Sequence, residues 1–217
     1  MIPRFPVYLF DIDGTLLDSA QDICGALQQA LAAITPAPTR TPTFDYLKGF
    51  IGFHLTDQIL DLFPNHSQEQ IDSLIQDYRR IYLARGHRNT QPYPGVAEGL
   101  AALGGRKSTA TTKGTPTTRA VLEQFGLIQY FDHVQGTDGI PCKPAPDVLL
   151  AALAALGATP ADCLFVGDSP ADMEAGRRAG VRICAVRYGY GKTEELEKWA
   201  PDYWVSDLRE LAQKGAG

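Results

Sequence analysis

Two carboxylates, Asp11 and Asp13, follow directly on a short apolar run, Val7 to Phe10, and the run breaks at Gly14. An apolar stretch of that length bounded by glycine predicts a buried strand of the kind that fills parallel sheets. Open parallel sheets gather their ligands at the carboxyl ends of the strands. Both side chains are therefore expected where such a fold does its chemistry. Carboxylates this close repel one another unless a cation or a shared proton relieves the charge. For an isolated pair the plain alternative is a strand-end turn with two solvated aspartates. Three further groups stand later in the chain. They are the hydroxyl cluster Ser108, Thr109, Thr111 and Thr112; Lys143 within Pro141-Cys142-Lys143-Pro144-Ala145-Pro146; and the acids Asp168 and Asp172 after Leu164-Phe165-Val166-Gly167.

The elements that must position these groups are legible as pattern. Beyond the punctuation of Gln91-Pro92-Tyr93-Pro94-Gly95, strand-like segments fall near Lys107–Thr111, His133–Gln135, Cys163–Gly167, Val181–Val186 and Tyr203–Val205. Helical spacing falls between them, near Val96–Leu103, Thr115–Phe125, Pro146–Leu156, Ala171–Ala179 and Asp207–Gln213. This alternation predicts an α/β fold, a Rossmann-like parallel sheet flanked by helices. The first strand belongs to that sheet. The stretch between is different. Ile23, Leu27, Ala30, Leu31 and Ile34 keep helical spacing, with Asp18 or Ser19 placed to cap the start. Thr35 to Thr43 reads as a loop, and helical patterns return over Asp57–Phe63 and Gln68–Arg85, separated by Pro64-Asn65-His66. No convincing strand is visible there. The expected organisation is a core of residues 1–16 and 92–217, with a small α-helical domain, 17–91, inserted between its first two strands.

Composition narrows the partners. A net charge of −5 argues against a general nucleic-acid or anionic-membrane role, both of which need a basic surface. An anionic small molecule remains open, because a local cation inverts the field. Cys24, Cys142, Cys163 and Cys184 show neither paired metal-ligand spacing nor a small disulfide scaffold. Free thiols in a reducing cytoplasm are expected. The first ten residues are too short and proline-broken for a signal peptide, and no run of about 18 apolar residues occurs. Monomer and homodimer both stay open.

Asp11-Ile12-Asp13-Gly14-Thr15-Leu16-Leu17-Asp18-Ser19 resembles the first signature of the haloacid dehalogenase-like phosphohydrolases. Thr111, Lys143 and Gly167-Asp168-Ser169-Pro170-Ala171-Asp172 follow in the order of that family's later motifs. The likeness covers nearly the whole chain and is strongest to the phosphoglycolate phosphatase-like branch, because of Asp18-Ser19 and Lys143-Pro144-Ala145-Pro146. It implies that Asp11 attacks phosphorus to form an aspartyl-phosphate, splitting one hard displacement into two. It implies that Asp13 is general acid and base, in surroundings that favour its neutral form, and that its backbone carbonyl meets the metal. Gly14 suits the tight turn, and Thr15 secures it. Asp168 with Asp11 and Asp13 is expected to offer the hard oxygen set that Mg²⁺ prefers, with Asp172 either a ligand or an anchor beside it. Thr111 is expected to hold a phosphate oxygen. Thr112 stands where many relatives have Asn, and Lys113 follows on the same loop. Lys143 is the expected phosphate clamp.

In that family the insertion is a mobile cap that selects the leaving group. Gly49-Phe50-Ile51-Gly52-Phe53-His54-Leu55 is its most suggestive loop, with Gly52, Phe53 and His54 expected to meet substrate, and ordinary cap packing as the alternative. Arg79, Arg80 and Arg85 either bind a carboxylate or coat a solvated helix face. The implied activity is Mg²⁺-dependent hydrolysis of a small phosphorylated metabolite. A phosphosugar mutase of the same family and a non-catalytic phosphate-binding module are the alternatives. The mutase lacks support because Asp18 to Asp22 holds no His. A dehalogenase would have no use for Asp13, and a regulatory module would have no use for all of Asp11, Asp13, Lys143 and Asp168.

Overall fold

The apolar run that opens the chain becomes the central strand of the sheet. In the computed structural model, which describes residues 2–34, 41–53, 55–63 and 67–213, β1 (Val7–Phe10) leads to β2 (Leu17–Asp18), α1 (Ala20–Ala33), α2 (Phe44–Lys48), α3 (Leu55–Leu62), α4 (Gln68–Arg85) and β3 (Gln91–Pro92). Then come α5 (Val96–Ala102), β4 (Arg106–Thr109), α6 (Thr115–Gln124), α7 (Asp147–Ala155), β5 (Cys163–Gly167), α8 (Pro170–Ala179), β6 (Arg182–Val186), α9 (Thr193–Glu197) and β7 (Tyr203–Val205). The main sheet runs β4-β1-β5-β6-β7, all parallel. Side chains of β1 alternate between its faces. Tyr8 and Phe10 join a core with Leu100, Leu122 and Val186, while Val7 and Leu9 join one with Leu149, Leu153 and Ile183. Period-two alternation with both faces buried explains why this segment reads as unbroken apolar sequence.

The helices of the insertion bury a third cluster, including Leu27, Leu31, Ile59, Ile71 and Leu74. α4 starts on a capping box, Ser67 with Gln70, and stops at Gly86 in the left-handed conformation, which is the local chemistry that bounds a helix of this kind.

The structure corrects the expected pattern in four places. His133–Gln135 is not a strand, and only Ser108 and His133 form a bridge. Thr109 Oγ1 instead accepts from Gln135 N and donates to Gln135 O, both at 2.8 Å, so a side chain takes the place of the ladder. Conversely, β2 and β3 pair antiparallel where no strand was expected. They join the outgoing and returning chain at the base of the insertion. Ser19 occupies the N-cap of α1 without capping it, because its hydroxyl is committed to Asp13. Asp207–Gln213 contains a 3₁₀ segment, Leu208–Ala212, rather than an α-helix. Within the loop read at Thr35 to Thr43, residues 35–40 lie outside the described residues, as do Pro64, Asn65 and His66.

The base of the insertion is also fastened by a buried acid. Asp22 accepts from Arg85 Nε, Asn89 Nδ2, Asn89 N and Thr90 Oγ1 at 2.9–3.2 Å. Burial raises its pKa, but the Asn89, Thr90 and Arg85 hydrogen bonds outweigh it and hold the carboxyl below its usual range. A carboxylate depressed in this way stabilises the fold above its ordinary pKa, and that contribution is lost as pH falls through the depressed value. Asp22→Ala strands these donors. It is expected to cost about 3–5 kcal/mol, read as a lowered urea midpoint at neutral pH, with a smaller difference from the parent in acid.

Candidate active site

Strand register decides which side chains meet. Phe10 lies beside Thr109 on one side and Val166 on the other. The residues just past these three strands, Asp11, Ala110–Thr111 and Gly167–Asp168, therefore emerge together. Asp11 N donates to Val166 O and Ala110 N to Phe10 O, which carries the pairing one step beyond the strands. Sequence-adjacent β4 and β5 flank β1 on opposite sides. That is the switch-point arrangement at which open parallel sheets hold ligands.

Lys143 arrives from the loop before α7. Its fully buried ammonium lies 2.6 Å from Asp11 Oδ1, 2.6 Å from Asp172 Oδ1 and 3.0 Å from Ala110 O. Burial alone would lower its pKa, but Asp11 and Asp172 outweigh burial and hold it above the ordinary lysine range. Asp11, Asp168 and Asp172 each place an oxygen within 4.8 Å of the others. Burial first, with Asp172 and Asp13 adding, pushes Asp11 up to about 7 against the pull of Lys143. Burial, then Asp172 and Asp11, pushes Asp168 well up. The Lys143 ammonium contacts two of these three buried carboxylates, Asp11 and Asp172.

The carboxylates are aimed by their neighbours. Thr15 Oγ1 donates to Asp168 Oδ1 at 3.2 Å and Tyr190 N to Asp168 Oδ2 at 2.7 Å. Gly14, with φ of +92°, brings its backbone against Asp168, whose carboxylate a Cβ there would strike. Asp172 Oδ2 accepts from Asp168 N, Ser169 N and Ser169 Oγ, closing a capping box at the start of α8. Asp13 faces the insertion. Ser19 Oγ donates to its Oδ1 at 2.6 Å, and Lys113 Nζ lies 3.1 Å from its Oδ2. Asp13 thus meets a hydroxyl on one oxygen and an ammonium on the other. Lys113 also donates to Tyr82 OH at 2.9 Å, on α4.

Thr111 is buried at the end of β4, its Oγ1 accepting from Lys113 N. Thr112, Gly52 and Phe53 line a cavity of about 410 Å³ that opens from Asp13 toward the insertion. His54 lies outside the described residues. Of the three arginines, Arg79 lines the cavity, Arg80 pairs with Asp77, and Arg85 is spent on Asp22. Sequence reasoning missed Ser19 as a partner of Asp13, and it missed Tyr190. Tyr190 binds Asp168 through its backbone, while its hydroxyl accepts from Ser19 N and donates to Asp18. A usable signal existed, because Gly189-Tyr190-Gly191 follows β6 at the carboxyl end of the sheet.

A parallel sheet with these acids and a lysine at its switch point defines a class that comparison with known proteins identifies. Residues 8–186 match the haloacid dehalogenase-like hydrolase family, and the chain belongs to that family. It is a phosphatase of the phosphoglycolate phosphatase-like branch. It is 32% identical to phosphoglycolate phosphatase 1 of Pseudomonas aeruginosa, over 97% of this chain and 79% of that protein. It is also 32% identical to the phosphoglycolate phosphatase of Aquifex aeolicus, over 95% of each. Among solved structures, a haloacid dehalogenase-like hydrolase from Bacteroides fragilis superposes with a TM-score of 0.86 at 29% identity, covering 96% of this chain and all of that one. Among the described residues no helix is long and apolar enough to cross a membrane.

Proposed function

We propose that this chain hydrolyses a small phosphorylated metabolite with Mg²⁺, through an aspartyl-phosphate on Asp11, under a cap formed by residues 17–91 on a core of 1–16 and 92–217. The observation that carries the reading is the meeting of Asp11, Lys143, Asp168 and Asp172 at one end of the sheet. Asp11 attacks phosphorus in line with the departing alcohol, and Lys143 offsets charge on the transferring oxygens. Thr111 donates its hydroxyl to a phosphate oxygen, with Thr112 beside it. Asp13 delivers a proton to the leaving oxygen, then takes one from the water that cleaves the acyl phosphate. That role requires Asp13 to part from Lys113 during turnover, and the bond from Lys113 to Tyr82 on α4 supports a change at that contact.

The donor set fits a hard divalent cation. Asp11 and Asp168 offer carboxylate oxygens within 4.8 Å of one another at the carboxyl end of the sheet, and the backbone carbonyl of Asp13 would complete a hard oxygen set with them. When bound, Mg²⁺ would screen the incoming dianion and polarise the phosphoryl group. Asp172 already engages Lys143 through one oxygen and three donors through the other, which favours anchoring over direct ligation. Names of relatives make 2-phosphoglycolate the first ester to test. Phosphate release from p-nitrophenyl phosphate is expected to vanish in EDTA and return with Mg²⁺; indifference to chelation rejects the metal assignment.

A further inference from the structure

Ser19 stands at the N-cap of α1, where a serine hydroxyl ordinarily accepts from an amide of the first turn. Two other serine N-caps of this chain behave in that way. Ser67 and Ser169 are extended, with ψ of 158° and 156°, and each accepts from the backbone N–H three residues on. Ser19 has ψ of 2° and makes no such bond. Its Oγ donates to Asp13 Oδ1 at 2.6 Å instead.

The difference lies in what grips the Ser19 backbone. The Tyr190 hydroxyl accepts from Ser19 N at 2.7 Å and from Ala20 N at 3.0 Å, and it donates to Asp18 Oδ1 at 2.9 Å. A side chain 171 positions away thus satisfies two of the amides that the start of a helix leaves without partners. Tyr190 is itself fixed on the core. Its N donates to Asp168 Oδ2 at 2.7 Å, and Gly189 packs so closely on Asp168 that a Cβ there would strike it. On the other side its ring packs against the apolar cluster of the insertion, with the Lys48 ammonium 5.0 Å from the ring centroid. One continuous series of bonds therefore runs from Asp168 through Tyr190 and Ser19 to Asp13.

Resting on the phosphatase reading above, we propose that Tyr190 is a positioning residue for proton transfer: its hydroxyl holds Ser19 out of the capping conformation, so that Ser19 Oγ stays aimed at Asp13. Without that grip, rotation of Ser19 into the extended range offers its hydroxyl the ordinary bond within α1, and Asp13 loses a partner that orients it. A proton matters most when the leaving oxygen is a strong base. Phenyl phosphate and p-nitrophenyl phosphate differ in that respect and little in shape, and kcat/KM reports the step that forms the aspartyl-phosphate. Tyr190→Phe keeps the ring and the backbone bond to Asp168 while removing the hydroxyl. It is expected to lower kcat/KM about tenfold for phenyl phosphate and less than about threefold for p-nitrophenyl phosphate, within the ~10²–10⁴-fold that a positioned acid supplies. Ser19→Ala is expected to reproduce the split, and the double variant to lose no more than the larger single loss, because both changes act on one route. Equal effects on the two esters, null effects included, overturn the inference and leave the phosphatase reading standing, since structural damage does not sort leaving groups. Additive losses in the double variant do the same. So does a parent that releases p-nitrophenol but no phenol, because it has no working acid to aim. Absence of Asp11-dependent release from both esters overturns the underlying reading, and this inference with it.

Discussion

Asp11→Asn is expected to lower kcat by on the order of 10⁴-fold or more while the protein stays folded. The two halves of that expectation have different origins. An amide keeps the shape of the carboxylate but has no charged oxygen to attack phosphorus, so the covalent route closes. Stability is spared because Asp11 sits in a crowd of like charges. Burial, Asp172 and Asp13 all push its pKa upward, to about 7, against Lys143. Removing that charge relieves repulsion in the metal-free protein, and Lys143 keeps Asp172 and Ala110 O as partners. Phosphate release and thermal melting in EDTA check the pair of claims. Near-parental kcat would remove Asp11 as nucleophile, and a collapsed melting transition would recast it as a scaffold residue.

How much of this was legible in the sequence depended on distance along the chain. The first strand and its two acids form one continuous stretch, so periodicity and residue type were enough to place them. Lys143 and Asp168 owed their meaning to order, because nothing local distinguishes a lysine between prolines or an aspartate after glycine from surface residues. What the pattern could not carry was pairwise commitment. Ser19 has the type and position of a helix cap, yet its hydroxyl turns to Asp13. Lys113 reads equally well as solvated or as part of the site, and contacts with Asp13 and with Tyr82 on α4 fix it. The β2–β3 pair is two residues long on each side, too short for any period to show. Gln135 failed as a strand residue because Thr109's side chain met its backbone, a contact across 26 positions.

Lys143→Met should damage activity and stability together. The ammonium is wholly buried and carries two 2.6 Å contacts to carboxylates. Replacing it with an apolar chain of similar length leaves Asp11, Asp168 and Asp172 together without an internal cation, and breaking such a buried pair from one side costs about 3–5 kcal/mol. The urea midpoint in EDTA is expected to fall accordingly. Turnover with Mg²⁺ is expected to fall as well, since the transferring group loses the charge aimed at its oxygens. A second change separates the two effects. Asp172→Asn in the Lys143→Met background removes one stranded charge, so part of the lost stability should return while activity stays low. A single variant as stable as the parent would mean that the carboxylates relieve one another by sharing a proton, and the lysine would lose its place as the charge that holds the cluster together.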